Sequence, residues 1–326
     1  MKVLFIGGTG IISSACSRLA LKKGIELVHL NRGERIPSFT GVRHIKADIR
    51  NFEDTKNALK DEKFDCVVDW IAYIPEHVKI DISLFSGRTK QYIFISSASV
   101  YQKPPENYII TESTPLINPF WEYSQNKIKC EEILINEWKN KGFPVTIVRP
   151  SYTYGEDLIP FAVGWGYTIL DRMLKEKPVV LHGDGSSLWV MTHNSDFAKG
   201  FCGLLGNPYV IGESFHITSD EVLNWNQIYR AIAHSAGVEP KIVYLPSKKI
   251  AEIDPATGAS LLGDKTWSTT FDNTKIKRYV RDYIATVPFH EGIKETVNFV
   301  LSEKKFQKID PQMDQLMDRL VEQSLK

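Results

Sequence analysis

Several features that would assign a protein to a broad class are missing from this chain. Charge of one sign is missing: Lys plus Arg number 40 against 39 Asp plus Glu, so there is no basic footprint for nucleic acid. No polybasic or long apolar segment suits a membrane. Cysteine is scarce. Cys16, Cys66, Cys130 and Cys202 are the only four, none in a C-x-x-C pair, which points to free thiols in a reducing compartment. His and Cys do not group at ligand spacing, so no metal is expected. No signal pattern stands before "MKVLFIGG", and the expected location is cytoplasmic. Internal repeats and low-complexity stretches are also absent. What remains is an ordinary globular composition, 43% hydrophobic over 326 residues, enough for a sizeable core.

The first half alternates apolar runs with helical stretches. "KVLFIG", "IELVHLN", "RHIKAD", "FDCVVDWIA", "QYIFISS" and "PVTIVRP" read as six strands. Helical segments between them imply parallel β-α-β units, and near-continuous apolar strands imply a sheet covered on both faces. After Gly155 the rhythm changes. Helices are expected in 165–176, 195–207 and 224–237, with strands in "KPVVLHGDG" and "GESFHITS". The segment Pro240 to Asp272 is punctuated by Pro and Gly and gives no clear pattern. Near the end, Met313, Leu316, Met317, Leu320 and Val321 share one helical stripe, a docking surface within the protein or in a dimer.

A glycine loop joins the first strand to the first helix in "LFIGGTGIISSA". Gly8-x-Gly10-x-x-Ser13 fits a dinucleotide fingerprint with Ser in the third glycine place, and Gly7 precedes it. Such glycines permit a tight turn and close backbone approach to a pyrophosphate, which the helix N-terminus then attracts. Ser13 is larger than Gly and should set helix and strand slightly further apart. The second strand ends at Asn31, where a carboxylate would take a ribose hydroxyl; Arg32 and Arg35 follow. That combination leans toward the 2′-phosphate of NADP over NAD, unless both arginines are solvated surface charges. Asp48, after the third strand, either meets the adenine edge or ends the strand.

Two Tyr-x-x-x-Lys pairs occur, "YSQNK" at Tyr123–Lys127 and "YLPSK" at Tyr244–Lys248, and roughly one match is expected by chance. Pro246 interrupts the second. The first lies in a proline-free helical segment, where positions i and i+4 are neighbours. Ser97, at the end of the fifth strand, falls on the carboxyl edge of the sheet, where ligands bind in such folds.

The ordered set "GGTGIIS", "ADIRN", "ISSASVY", "YSQNK", "VRPSYTYG", "HGDGS", "THNSDFAKG" and "FDNTKIKR" resembles the extended short-chain dehydrogenase/reductases, the NAD(P)-dependent epimerase/dehydratase group, over about residues 1 to 300. The resemblance implies a doubly wound parallel α/β sheet of the Rossmann type with a smaller C-terminal substrate lobe. A dinucleotide-binding domain would span 1–155, with 188–235 folding back onto it, and the remainder of 156–326 would form the substrate lobe and C-terminal helix. Tyr123 is implied as the general acid/base, Lys127 as the cation that lowers the phenol and holds the nicotinamide ribose, and Ser97 as the hydroxyl orienting the reacting oxygen. Ile11, Ile12, Ile49, Ala72 and Pro150 are implied at the cofactor.

The chain also departs from its relatives. Ala98 and Ser99 stand where the dehydratases carry Asp-Glu, which argues against 4,6-dehydration. Tyr152 and Trp189 stand near two polar anchors of the nucleotide-sugar enzymes. Aromatic faces stack on sugars, so these departures favour a smaller or less charged sugar, polyol or glycoside; Trp189 is equally readable as core. Tyr73, Trp70 and His77 are further candidates for the cleft. An atypical branch of the family is indicated, which includes sugar dehydratase-like, isoflavone-reductase-like and stem-loop RNA-binding relatives. The expected function is an NAD(P)-dependent oxidoreductase or epimerase on a sugar or polyol, in a homodimer, with no nucleic-acid partner. The alternatives are a nucleotide-sugar 4-epimerase and a non-catalytic dinucleotide-sensing or RNA-binding regulator.

Overall fold

A computed structural model describes residues 1–33 and 40–324 of the chain. The first half runs β1 (Lys2–Ile6), α1 (Ile11–Lys22), β2 (Glu26–Asn31), β3 (Arg43–Lys46), α2 (Phe52–Ala58), β4 (Phe64–Asp69), α3 (Pro75–Phe85), β5 (Thr89–Ile95), β6 (Ile109–Ile110), α4 (Glu122–Lys141) and β7 (Val145–Pro150). The second half runs β8 (Tyr152–Tyr154), α5 (Gly166–Leu174), β9 (Val179–His182), β10 (Leu188–Trp189), β11 (Met191–His193), α6 (Asn194–Leu204), β12 (Ser214–Ile217) and β13 (Leu223–Asn224). It continues through α7 (Trp225–Ser235), β14 (Ile242–Leu245), α8 (Ser247–Ile253), α9 (Pro255–Ser260), β15 (Thr270–Phe271), α10 (Thr274–Tyr279), α11 (Phe289–Ser302) and α12 (Pro311–Ser324).

Seven strands form one parallel sheet in the order β12-β7-β5-β4-β1-β2-β3. The apolar runs explain it, because both faces are buried. Alternate residues of β1 enter opposite cores: Val3 and Phe5 pack toward α1 and α6, Leu4 and Ile6 toward α3 and α4. The strand order reverses between β1 and β4, which opens a crevice at their carboxyl ends. A buried ion pair ties α4 to β7: Arg149 Nη2 lies 2.6 Å from Glu131 Oε2.

Residues of the expected fold-back segment divide between the two parts. β12 pairs with β7 and α6 packs on α1, so 194–217 join the sheet. α7 does not. Its apolar stripe of Trp225, Ile228, Tyr229 and Ile232 is buried in a second core with Phe161, Phe289 and Met317. The C-terminal stripe is an internal surface: Met313, Leu316, Met317 and Leu320 of α12 are buried in the same core, with Val321 packed against it. The unreadable stretch Pro240 to Asp272 contains β14, α8, α9 and β15, elements too short for periodicity to register. Helices α3 and α11 were not singled out from the sequence either.

Candidate active site

The first cleft follows the glycine loop. Gly7 has φ +80°, and a Cβ there would meet the Ile71 side chain at 2.5 Å. A Cβ on Gly8 would meet the His29 ring at 2.5 Å. Gly10 caps α1 without offering a side-chain acceptor, so the first N–H groups of the helix are left for an anion. Ser13 does more than replace a glycine. Its hydroxyl accepts from Gly10 N–H at 2.8 Å and donates to Gly7 O at 3.2 Å, stitching the loop. The cleft holds about 550 Å³ and is bordered by Gly7, Gly10, Asn31, Arg32, Asp48 and Ile49. An open helix end, a side-chain-free approach and this volume fit a dinucleotide.

Other predicted cofactor residues have different surroundings. Ile12 turns its side chain into the core, and Ile11 O accepts from Asn194 Nδ2 at 3.1 Å. Asn31 Oδ1 accepts Gly33 N–H at 2.9 Å, so it shapes the turn after β2. Asp48 Oδ1 accepts Arg50 N–H at 3.0 Å. Arg35 lies outside the described residues. Pro150 borders the larger second cleft instead of this one. Arg50 was missed; it borders the cleft, and its guanidinium lies 4.0 Å from buried Asp69. Its signal was its place directly after "ADI".

Tyr123, Ser97 and Lys127 come together at the carboxyl edge of the sheet. Helix α4 buries the stripe Ser124, Lys127, Glu131 and Leu134, which aims Lys127 at the ends of β4 and β5. Lys127 Nζ donates to Ala72 O at 2.6 Å and Ile95 O at 2.7 Å. It also lies 5.8 Å from the Tyr123 ring centre. Ser97 and Ser99 hydroxyls are 2.9 Å apart, and Ser124 Oγ donates to Ser99 Oγ at 2.7 Å. Ser97 and Tyr123 border the same cleft.

The expected depression of the phenol by Lys127 is not found. Burial pushes Tyr123 up to about 12, and the Ser97 hydrogen bond only partly opposes it. Burial likewise lowers Lys127 to about 8. The ammonium is satisfied by two backbone carbonyls, and desolvation of the phenol dominates. The other pair separates as Pro246 predicts: Tyr244 ends in β14 and Lys248 lies in α8.

Beyond Tyr123 opens a cleft of about 1180 Å³. Ser97, Ser99, Tyr152 and Trp189 border it. Trp189 belongs to the core and also reaches the cleft wall. It is 4% exposed and its ring lies 5.3 Å from Trp225, yet it also borders the cleft. Tyr152 donates its hydroxyl to Phe161 O at 3.2 Å. Tyr73 borders the first cleft with His77, whose Nδ1 accepts Tyr73 N–H at 3.1 Å, and its ring centre lies 4.9 Å from Lys127 Nζ. Trp121, Lys265 and Arg319 were missed; they border the substrate cleft from segments far apart in the chain.

Comparison with known proteins places this geometry. A model described as the NAD dependent epimerase/dehydratase family matches residues 3–217. The chain is 26% identical over 263 residues to a chloroplast stem-loop binding protein of 41 kDa from Arabidopsis thaliana, covering 76% of this chain and 67% of that one. It is 31% identical over 169 residues to the UDP-glucose 4-epimerase of Lactobacillus helveticus, covering 46% of this chain and 51% of that one. It thus spans about half of that relative's length. A solved UDP-glucuronic acid 4-epimerase from Bacillus cereus, in complex with NAD, superposes with a TM-score of 0.72 at 22% identity, covering 96% of this chain and 100% of that one. With the family match spanning well over half of its residues, the chain belongs to the NAD dependent epimerase/dehydratase family.

Proposed function

We propose that this protein is an NAD(P)-dependent epimerase or oxidoreductase of a sugar or related polyol, with Tyr123 moving the proton. The observation that carries the reading is the meeting of Ser97, Tyr123 and Lys127 between a cleft fitted to a dinucleotide and a larger one lined with aromatic rings. A bound nicotinamide would supply the hydride acceptor or donor. At neutral pH the resting pair is a neutral phenol and an ammonium, because burial raises Tyr123 to about 12 and lowers Lys127 to about 8. A neutral phenol is the proton donor that reduction of a carbonyl requires. Ser97 would orient the reacting oxygen, and Lys127 would hold the cofactor ribose.

A smaller sugar or a nucleotide sugar both suit this chemistry, and the named activities of the relatives include 4-epimerisation of UDP-glucose. The lean to NADP rests on Asn31 and Arg32 at the rim of the dinucleotide cleft. A cytoplasmic homodimer completes the reading, to be tested by light scattering and fractionation. Tyr123→Phe is the decisive test. Turnover of sugars, read by nicotinamide absorbance or product chromatography, should disappear while dinucleotide affinity stays within about twofold. Unchanged turnover removes Tyr123 from the mechanism.

A second reading is favoured by the stem-loop binding relative, whose match covers 76% of this chain. A regulator of that kind should bind RNA with an affinity that falls steeply with salt. No such binding, together with Tyr123-dependent turnover, decides for the enzyme.

A further inference from the structure

Lys127 carries its charge among groups that give it little electrostatic help. Two of its three N–H groups go to the carbonyls of Ala72 and Ile95, at 2.6 and 2.7 Å. The nearby carboxylates are engaged elsewhere: Glu131 lies 2.6 Å from Arg149, and Asp69 lies 4.0 Å from Arg50. The charged and titratable groups that face the ammonium, besides Tyr73, are Arg50 after β3, Asp69 at the end of β4, His77 in α3, and Tyr123, Cys130 and Glu131 on α4. What closes around it is aromatic. The ring centre of Phe94 lies 4.8 Å from Lys127 Nζ and that of Tyr73 lies 4.9 Å away, with Tyr123 further off at 5.8 Å. All three fall within the reach at which a ring attracts a cation. Phe94 is a fully buried residue of β5, whereas Tyr73 is half-exposed on the turn after β4.

That turn is pinned at each residue. Ile71 N–H donates to Asp69 Oδ1 at 2.6 Å, and Ile71 O accepts from the Arg50 guanidinium. Ala72 O accepts from Lys127 itself, and Tyr73 N–H donates to His77 Nδ1 at 3.1 Å. Four hydrogen bonds at three successive residues fix where the Tyr73 ring leaves the chain. A half-exposed ring buries little apolar area, so packing alone gives small reason for such anchoring. What the anchoring does secure is the ring's place beside the ammonium, at the border of the dinucleotide cleft.

We propose that Tyr73 is a positioning residue for Lys127: its ring, together with that of Phe94, caps the ammonium and keeps it charged where the cofactor ribose would be held. The proposal deepens the reading of Lys127 as the ribose-holding cation and rests on it. Burial lowers Lys127 to about 8, so the charge is held at neutral pH by a narrow margin. A further fall of about one pH unit would leave about half of the molecules with a neutral lysine at pH 7. Attraction to a ring opposes that fall, because it favours the charged form only. The Tyr73 hydroxyl has no part in this, and a phenylalanine ring should serve as well.

Nuclear magnetic resonance of protein carrying 13C-labelled lysine tests the proposal. The Lys127 Cε resonance is assigned by its loss in Lys127→Arg and followed through a pH titration. Tyr73→Leu should lower the Lys127 midpoint by about half a pH unit or more, while Tyr73→Phe should leave it within about 0.2. Leucine keeps an apolar cover over the ammonium, so entry of water does not mask the loss of the ring. Tyr73→Met serves if the leucine variant does not fold. Calorimetric NAD affinity should fall with rising pH through the same midpoint, and so at lower pH in the leucine variant. An unchanged or raised midpoint in the leucine variant, an equal fall in the phenylalanine variant, or NAD affinity that ignores the midpoint overturns the proposal. Because neither measurement uses turnover, a Tyr73-dependent midpoint with no turnover of any sugar would fail the enzyme reading alone. Turnover with a midpoint indifferent to Tyr73 would fail the proposal alone.

Discussion

The two clefts are built in opposite ways. The dinucleotide cleft is mostly local: Gly7 through Asp48 supply a loop, a helix end and two strand ends within the first fifty residues. Its contacts to an anion are backbone N–H groups, which any sequence with the right glycines presents. The substrate cleft is assembled from side chains near residues 97, 121, 152, 189, 265 and 319. Its chemistry depends on which residue each distant segment happens to bring. Backbone recognition can be kept through wide sequence divergence, whereas side-chain recognition changes one residue at a time. This is why the cofactor class follows from the family while the substrate does not.

The comparison can be broken most severely at the sheet. Arg149→Met leaves Glu131 buried without its partner and should cost about 3–5 kcal/mol of stability, read by urea unfolding. A cost below about 1 kcal/mol would mean that α4 is held to β7 by packing alone. Next comes the loop. Gly8→Ala drives a methyl into the His29 ring and should weaken dinucleotide binding at least about tenfold, or about 1.4 kcal/mol. Sugar-probe binding should change far less, since no side chain of the second cleft moves. Comparable losses for both ligands would show that the clefts are not independent.

The pH dependence separates the lobes more finely. Burial lowers Lys127 to about 8, so its ammonium is present below that pH and lost above it. Turnover that needs the charge should be full near pH 7 and fall through a limb near 8. Stability should respond with the opposite sign. The unfolded lysine keeps its proton to about 10.5, so raising the pH above 8 relieves a buried charge and favours the folded state on this group's account. A flat rate profile from pH 7 to 9 would remove the charge of Lys127 from the rate. The smallest effect is expected from Arg32→Ala, a loss of several-fold in affinity for NADP and little for NAD. Equal losses for the two would end the 2′-phosphate reading.

Particular residues show what could be read in advance. The glycine loop, the strand end at Asn31 and the shared helix face of Tyr123 and Lys127 were legible because helical spacing and strand-end position are local properties. Pro246 alone was enough to dismiss Tyr244 and Lys248. The tail stripe from Met313 to Leu320 was legible as apolar, but its partner was not. Tyr73 borders the first cleft with its ring beside Lys127; the turn after β4 sets its direction, and turns carry no periodicity. Pro150, at the end of β7, borders the second cleft together with Ser97 and Tyr123.

The sequence by itself determined the alternating architecture, the glycine loop and the shared helix face of Tyr123 and Lys127, all set by spacings of a few residues. Only the tertiary structure decided the protonation of that pair and the company it keeps. Burial raises Tyr123 and lowers Lys127, and burial is a property of everything packed around a group. It also took the fold to bring Lys265 and Arg319 to the same cleft as Tyr123, across more than a hundred residues of chain.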